Sequence, residues 1–234
     1  MLFRDRLAES ARGHGPIILA TDILNGTVQS VVRSVDNLQA HICAVKMNFH
    51  ILLPLGIDEI REIIDAVHAW GLQCIADIKL NDINNTNLVT SNILYGAGFD
   101  AIIVNPIMGP DALSALVRAA HSTNNGIISL CHMSSAEGAV SYEMRAGHKP
   151  VYEKFLEWGL KARVDGIIVG ATFPDIIHDC KRKVRDRLDI LSPGVGAQGG
   201  SAKISFASGT DYIIVGRTLL NSENPSETAV SILS

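Results

Sequence analysis

Eight short runs of mostly β-branched or aliphatic residues recur along the chain, and they restrict its fold more than any other feature. They are Pro16–Thr21, His41–Lys46, Leu72–Ile78, Asp100–Val104, Gly126–His132, Asp165–Val169, Asp189–Leu191 and Asp211–Val215. Each is apolar almost throughout, as a strand buried on both faces of a parallel sheet must be. Segments of helical period separate them. In residues 57–71, Ile57, Ile60, Ile64 and Val67 form one stripe, Asp58 and Glu59 occupy the first turn, and Gly71 provides a stop. Residues 109–121 enter a second helix through Pro110. Eight strand–helix units in 234 residues predict an α/β fold, a (β/α)8 TIM barrel forming one domain over residues 1–234. An open doubly wound sheet is the rival. It would want a glycine-rich dinucleotide turn after the first strand, and residues 21–26, TDILNG, are no such turn.

Composition narrows the function classes. A formal charge of −4 argues against an electrostatic nucleic-acid binder. The basic run from Lys181 to Arg187 reads as a solvated helix end. No apolar run approaches the roughly 20 residues of a membrane span, and the charges in MLFRDRLAES break up any signal-peptide core. Cys43, Cys74, Cys131 and Cys180 are widely spaced, three of them inside apolar runs, so buried free thiols and a reduced, cytoplasmic setting are expected.

In a barrel of this kind, functional side chains collect where strands end. The ends of the eight runs carry Asp22, Lys46, Asp77 with Lys79, Asn105, Ser134, Pro193-Gly194 and Gly216-Arg217, a set rich in fixed charge. Two of these ends point to a phosphate. SPGVGAQGG at 192–200 carries four glycines that let backbone N–H groups approach an anion, and IIVGRTLL at 213–220 sets Gly216-Arg217 before a helix start. The loops after strands seven and eight form the common phosphate site of this fold, and a guanidinium can grip two phosphate oxygens. No histidine pair has metal-ligand spacing at a strand end. His132 is read as a satisfied core or rim residue, and no metal is expected.

Residues 76–87, ADIKLNDINNTN, place three charges directly behind an apolar strand. On an extended strand residues 77 and 79 share a side, so Asp77 and Lys79 are expected to project together into the barrel mouth. Lys46 at the end of the neighbouring strand supplies a second cation. Asp82 lies beyond the strand, where it can fold back or reach a neighbouring subunit. An alternating Lys–Asp–Lys–Asp array keeps its members ionised and rigid. As a purely stabilising network it would contribute little net stability.

These residues resemble the orotidine 5'-phosphate decarboxylase family in its short microbial form, over essentially the whole chain. The resemblance rests on LATD, AVK, DIKLND-I-x-N-T, Met133-Ser134, SPGVGAQGG and IIVGR. It implies decarboxylation of orotidine 5'-monophosphate to UMP, in de novo pyrimidine biosynthesis, without a cofactor. It further implies Lys46, Asp77, Lys79 and Asp82 as the catalytic array of a homodimer, with Asp82 and Thr86 donated across the interface. Asp77 would face the substrate carboxylate, and Lys79 would protonate C6 as CO2 leaves. Asp22, Lys46 and Thr86 would hold ribose hydroxyls, Ser134 the pyrimidine edge, and Gln198, Gly216 and Arg217 the phosphate. Ile83, Pro193 and Val195 complete the implied substrate contacts.

One position departs from the resemblance: Asn84 stands where the family usually has proline, loosening the loop that carries Asp82 and Thr86. Asn48 and Asn105 lie near the expected site and match no family position. Residues 134–149, glycine-hinged and weakly patterned, are the expected lid. Magnesium-dependent phosphosugar enzymes of the same superfamily share Asp77, Lys79 and Asp82 but want a further acidic ligand. A non-catalytic phosphometabolite-binding barrel would keep Arg217 and lose the charge array.

Overall fold

The computed structural model describes residues 1–24 and 26–234. Its ten strands in chain order are β1 (Ile17–Ala20), β2 (Ala44–Asn48), β3 (Gln73–Leu80), β4 (Ala101–Val104), β5 (Gly126–His132), β6 (Arg145–Ala146), β7 (Lys149–Pro150), β8 (Gly166–Val169), β9 (Asp189–Pro193) and β10 (Tyr212–Val215). Eight of them close a parallel barrel in the order β1-β2-β3-β4-β5-β8-β9-β10, with β10 returning to β1. The remaining two, β6 and β7, form a separate antiparallel ribbon inside the βα-loop that follows β5. The eight apolar runs therefore become the eight barrel strands. The second is displaced toward the mouth: His41–Lys46 was expected and Ala44–Asn48 is observed.

Helices cover the outside of the barrel as the periodicity predicts, with one correction. The helix Ile57–Ala69 buries Ile60, Ile63, Ile64 and Val67, whereas Ile57, expected in the buried stripe, is exposed in the first turn. All four cysteines are free and buried. The basic run ends the helix Pro174–Val184, with Arg182 paired to Asp179 and Lys183 to Glu153. Among the described residues, no helix is long and apolar enough to cross a membrane.

The N-terminal ends of the strands are tied by a set of aspartates. Asp100, Asp165 and Asp211 each precede a strand and accept a backbone N–H from the strand before, from Cys74, Ile127 and Ile190 respectively, all at 2.8 Å. The helix Phe3–His14 crosses this end, with Arg4 bonded to Asp189 at 2.7 Å and Arg6 to Asp100 at 2.9 Å. That closes the floor and leaves the opposite rim for chemistry.

His68, Cys74 and Asp100 bring donor atoms within 4.8 Å of one another at this floor. Asp100 already accepts from Arg6, His68 and Cys74 N–H, and burial drives the Cys74 thiol well up, so the trio is a hydrogen-bonded clamp. Its pH signature follows. The hydrogen bond to Asp100 raises the His68 pKa above its ordinary value, despite burial. The stabilisation is full below the unfolded value of about 6.5 and fades as pH rises through the higher folded one. Thermal melts should therefore show His68→Ala costing more stability at pH 5.5 than at pH 8.5, and an equal loss at both would contradict the charged pair.

Candidate active site

Lys46, Asp77 and Lys79 meet at the C-terminal rim of the barrel. The Lys46 ammonium donates to Asp77 Oδ2 at 2.6 Å and the Lys79 ammonium to Asp77 Oδ1 at 2.7 Å, so the carboxylate sits between two cations. Asp77 and Lys46 are buried, while the Lys79 side chain remains 41% exposed and opens onto the cavity. Burial pushes the Asp77 carboxyl up. The charges and hydrogen bonds of Lys46 and Lys79 outweigh it and hold the pKa below the usual carboxylate value.

Asp77 and Lys79 do share a side, but not because the strand is regular. The β3–β4 register slips between Asp77 and Leu80, and Lys79 has φ +46°, in the left-handed region. A non-glycine residue held there carries strain on the order of 1–3 kcal/mol, which persists only where the surroundings enforce it. A bulge at a barrel rim is a common way to re-aim a functional side chain. Sequence gave no warning, because lysine has no special tolerance of positive φ.

The array borders a cavity of about 280 Å³. Its apolar floor comes from Ile103, Leu130, Ile168 and Ile214, one from each of four barrel strands. Asp22 follows β1 at the rim, and Asn48 at the end of β2 donates to its Oδ1 at 2.7 Å. Ser134, Pro193, Val195, Gln198, Gly216 and Arg217 complete the wall. Gly170 allows Ser134 its place: a Cβ there would meet Ser134 Cα at 2.5 Å. Thr172 fixes the same segment by donating to Ser134 O at 2.9 Å.

The glycine-rich loop after β9 bonds largely to itself. The N–H groups of Gly196, Ala197, Gly199 and Gly200 bond within the loop or to Thr218. The helix after Gly216 is a single turn, Arg217–Leu220. Arg217 contributes a guanidinium to the wall of the same cavity, which Gln198 also lines.

Asp82, Ile83 and Thr86 do not line the cavity; all three are exposed. The loop is nevertheless firmly held. Asn87, buried completely, accepts from Asp82 N–H at 2.8 Å and donates to Asp82 O at 2.6 Å. Sequence reasoning missed Asn87; its place five residues after Asp82, inside the next helix, was the available signal. Asn84 is the first residue of the helix Asn84–Gly96, a position where proline is favoured because that N–H has no helical acceptor. Its presence costs preorganisation alone.

His132 is fully buried, as expected, but only half satisfied. Its Nδ1 is 2.8 Å from Met133 O, while Nε2 has no hydrogen-bond partner and lies 3.4 Å from Glu143. Asn105 caps the turn Pro106–Met108 by accepting from Ile107 N–H at 3.2 Å, and it is absent from the cavity wall. The 134–149 segment is more ordered than its weak pattern suggested: it holds the helix Ala136–Tyr142 and most of the β6–β7 ribbon. Among the described residues, the cavity wall holds two carboxylates, Asp22 and Asp77, and both Asp77 oxygens are bonded to ammonium groups. That donor set does not suit a divalent cation, which takes several oxygen ligands.

The family model for "Orotidine 5'-phosphate decarboxylase / HUMPS family" matches residues 15–232. The chain is 33% identical over 216 residues to orotidine 5'-phosphate decarboxylase of Pyrococcus abyssi, covering 92% of this chain and 96% of that protein. Among solved structures, it resembles orotidine 5'-monophosphate decarboxylase of Methanocaldococcus jannaschii complexed with the inhibitor BMP. The TM-score is 0.81 at 29% identity, covering 92% of this chain and 95% of the other. Leishmania donovani OMP decarboxylase aligns at a TM-score of 0.86 and 25% identity, covering 99% and 96%.

Proposed function

The chain belongs to the orotidine 5'-phosphate decarboxylase / HUMPS family, and on that premise we propose that it decarboxylates orotidine 5'-monophosphate to UMP without a cofactor. The observation that carries the reading is the Lys46–Asp77–Lys79 array, bonded at 2.6 and 2.7 Å on the wall of a cavity that Arg217 also lines.

The substrate phosphate binds Arg217 and Gln198, and the ribose reaches Asp22 and Lys46. The pyrimidine lies over the aliphatic floor with its edge at Ser134. Its carboxylate meets Asp77, an unfavourable contact relieved as CO2 departs. When the C6–carboxylate bond breaks, the electron pair stays in an sp2 orbital at C6 that the ring cannot delocalise. The Lys79 ammonium stabilises that charge and delivers its proton to C6. A low-dielectric floor strengthens every charge interaction, and charges already fixed in place need no reorganisation during the reaction. Phosphate binding, remote from C6, contributes the energy that orders the site.

The site is completed in a homodimer by Asp82, Ile83 and Thr86 of a second copy. Ile83 of that loop is exposed, as are Val89 and Ile93 on the helix that follows it and Phe49, Leu53 and Ile107 after the neighbouring strands β2 and β4. An apolar surface of this kind marks a contact region. The 134–149 segment acts as a lid, its exposed Val140 and Met144 available to cover bound nucleotide. The pathway is pyrimidine nucleotide synthesis, and the four buried thiols suit a reducing, cytoplasmic setting.

The test is turnover followed by loss of orotidine monophosphate absorbance, with and without EDTA. Turnover at the same rate in both is expected. Loss of activity in EDTA would move the reaction to the magnesium-dependent phosphosugar class.

A further inference from the structure

Asn48 has no part in the reaction as proposed, yet it lines the cavity and both ends of its amide are engaged. Its Oδ1 accepts from His50 N–H at 2.9 Å, capping the single-turn helix Phe49–Leu52. Its Nδ2 donates to Asp22 Oδ1 at 2.7 Å. The cap fixes which end of the amide is which, because the oxygen cannot donate and must face the backbone N–H. The group offered to Asp22 is then necessarily the NH2.

Asp22 lies beyond the last residue of β1, on a loop, so strand pairing does not hold its side chain. Its orientation comes from two neighbours. Asn48 holds Oδ1, and Oδ2 lies 3.0 Å from where a Cβ on Gly216 would project. A carboxylate has about four lone-pair sites, so one amide donor leaves room to accept from two hydroxyls. The Lys46 ammonium, engaged by Asp77, stands on the same strand as Asn48. We propose that Asn48 is a positioning residue that orients Asp22 toward a vicinal ribose diol, and that it sets a preference for ribonucleotides over 2'-deoxyribonucleotides.

The inference rests on the ribose role given to Asp22 above. A site built to pair a hydroxyl rejects the analogue lacking it, because its own polar group is left unpaired. That penalty depends on Asp22 being held; a freely rotating carboxylate would turn to water instead.

Two variants separate the donor from the cap. Asn48→Ser keeps a capping oxygen but is too short to reach Asp22, and Asn48→Asp keeps cap and shape while replacing the donor with a carboxylate. Affinities for UMP and 2'-deoxy-UMP are measured by calorimetry, alongside kcat and KM for orotidine monophosphate. The wild type is expected to favour UMP by about tenfold or more, the effect of one well-placed hydrogen bond to a charged group. In both variants the preference falls to about threefold or less, and the kinetic loss falls on KM more than on kcat. Asn48→Asp is the weaker binder at neutral pH and recovers as pH is lowered into the carboxylate range.

An unchanged preference in both variants, or no preference in the wild type, overturns the proposal. The affinities are read without turnover, so the two readings fail separately. A wild type that favours UMP but leaves orotidine monophosphate intact would sink decarboxylation, while loss of that preference in Asn48→Ser would still support the diol assignment.

Discussion

Alanine at position 79 is expected to lower kcat for orotidine monophosphate by about 10⁴-fold or more, with a uridine nucleotide inhibitor still bound within about tenfold of wild type. A positioned general acid contributes roughly 10²–10⁴-fold. Removing one preorganised charge facing the developing anion costs about 10²–10³-fold more. Both losses fall on one atom, the Lys79 Nζ, which bonds Asp77 Oδ1 at 2.7 Å. On the proposed reading nucleotide affinity resides largely in Arg217, Gln198 and Asp22, which the substitution leaves in place. The backbone adds a second signature. Lys79 sits at φ +46°, so Lys79→Gly, equally inactive, should melt higher than Lys79→Ala by about 1 kcal/mol of stability. Retention of a tenth of wild-type kcat in Lys79→Ala would remove the protonation role.

Asp82→Ala should be nearly as damaging, about 10³-fold in kcat, though Asp82 is exposed in the single chain and absent from its cavity wall. The reason is the proposed dimer, in which the loop held by Asn87 presents Asp82 to the partner's Lys79. Mixing Asp82→Ala with Lys79→Ala subunits tests this directly. Random exchange makes half the dimers mixed, each with one intact and one doubly defective site, so about a quarter of wild-type activity returns. Absence of recovery after confirmed exchange would count against a shared site. Recovery that does not depend on subunit exchange would count against it equally.

The barrel was legible because its signal is redundant. Eight apolar runs each report burial on both faces, and errors of a few residues, as at β2, leave the topology intact. Asp22, Lys46, Ser134 and Arg217 were legible as cavity-wall residues because strand ends in this fold point to one rim, whereas Gln198 came from the family resemblance alone. What escaped were features of local geometry. The left-handed Lys79 and the bulge beside it arise from the packing of β3 against β4, which no residue type announces. The aspartates preceding β4, β8 and β10 were visible in sequence, but their bonds to neighbouring strands require the register. Asn48 was similarly opaque, since its partner Asp22 lies 26 residues away, whereas Asn87, five residues from Asp82, left a local signal that went unread.

The central claim is that an ammonium at position 79 performs the chemistry. Lys79→Cys treated with 2-bromoethylamine restores an ammonium of nearly the lysine length through a thioether. The four native cysteines are buried and should resist alkylation, so the reagent reports on position 79. Activity should return to at least several per cent of wild type in alkylated Lys79→Cys and remain absent in Lys79→Ala given the same treatment. A fully alkylated Lys79→Cys enzyme that binds nucleotide and stays inactive, or an Lys79→Ala enzyme that is active without treatment, would contradict the account.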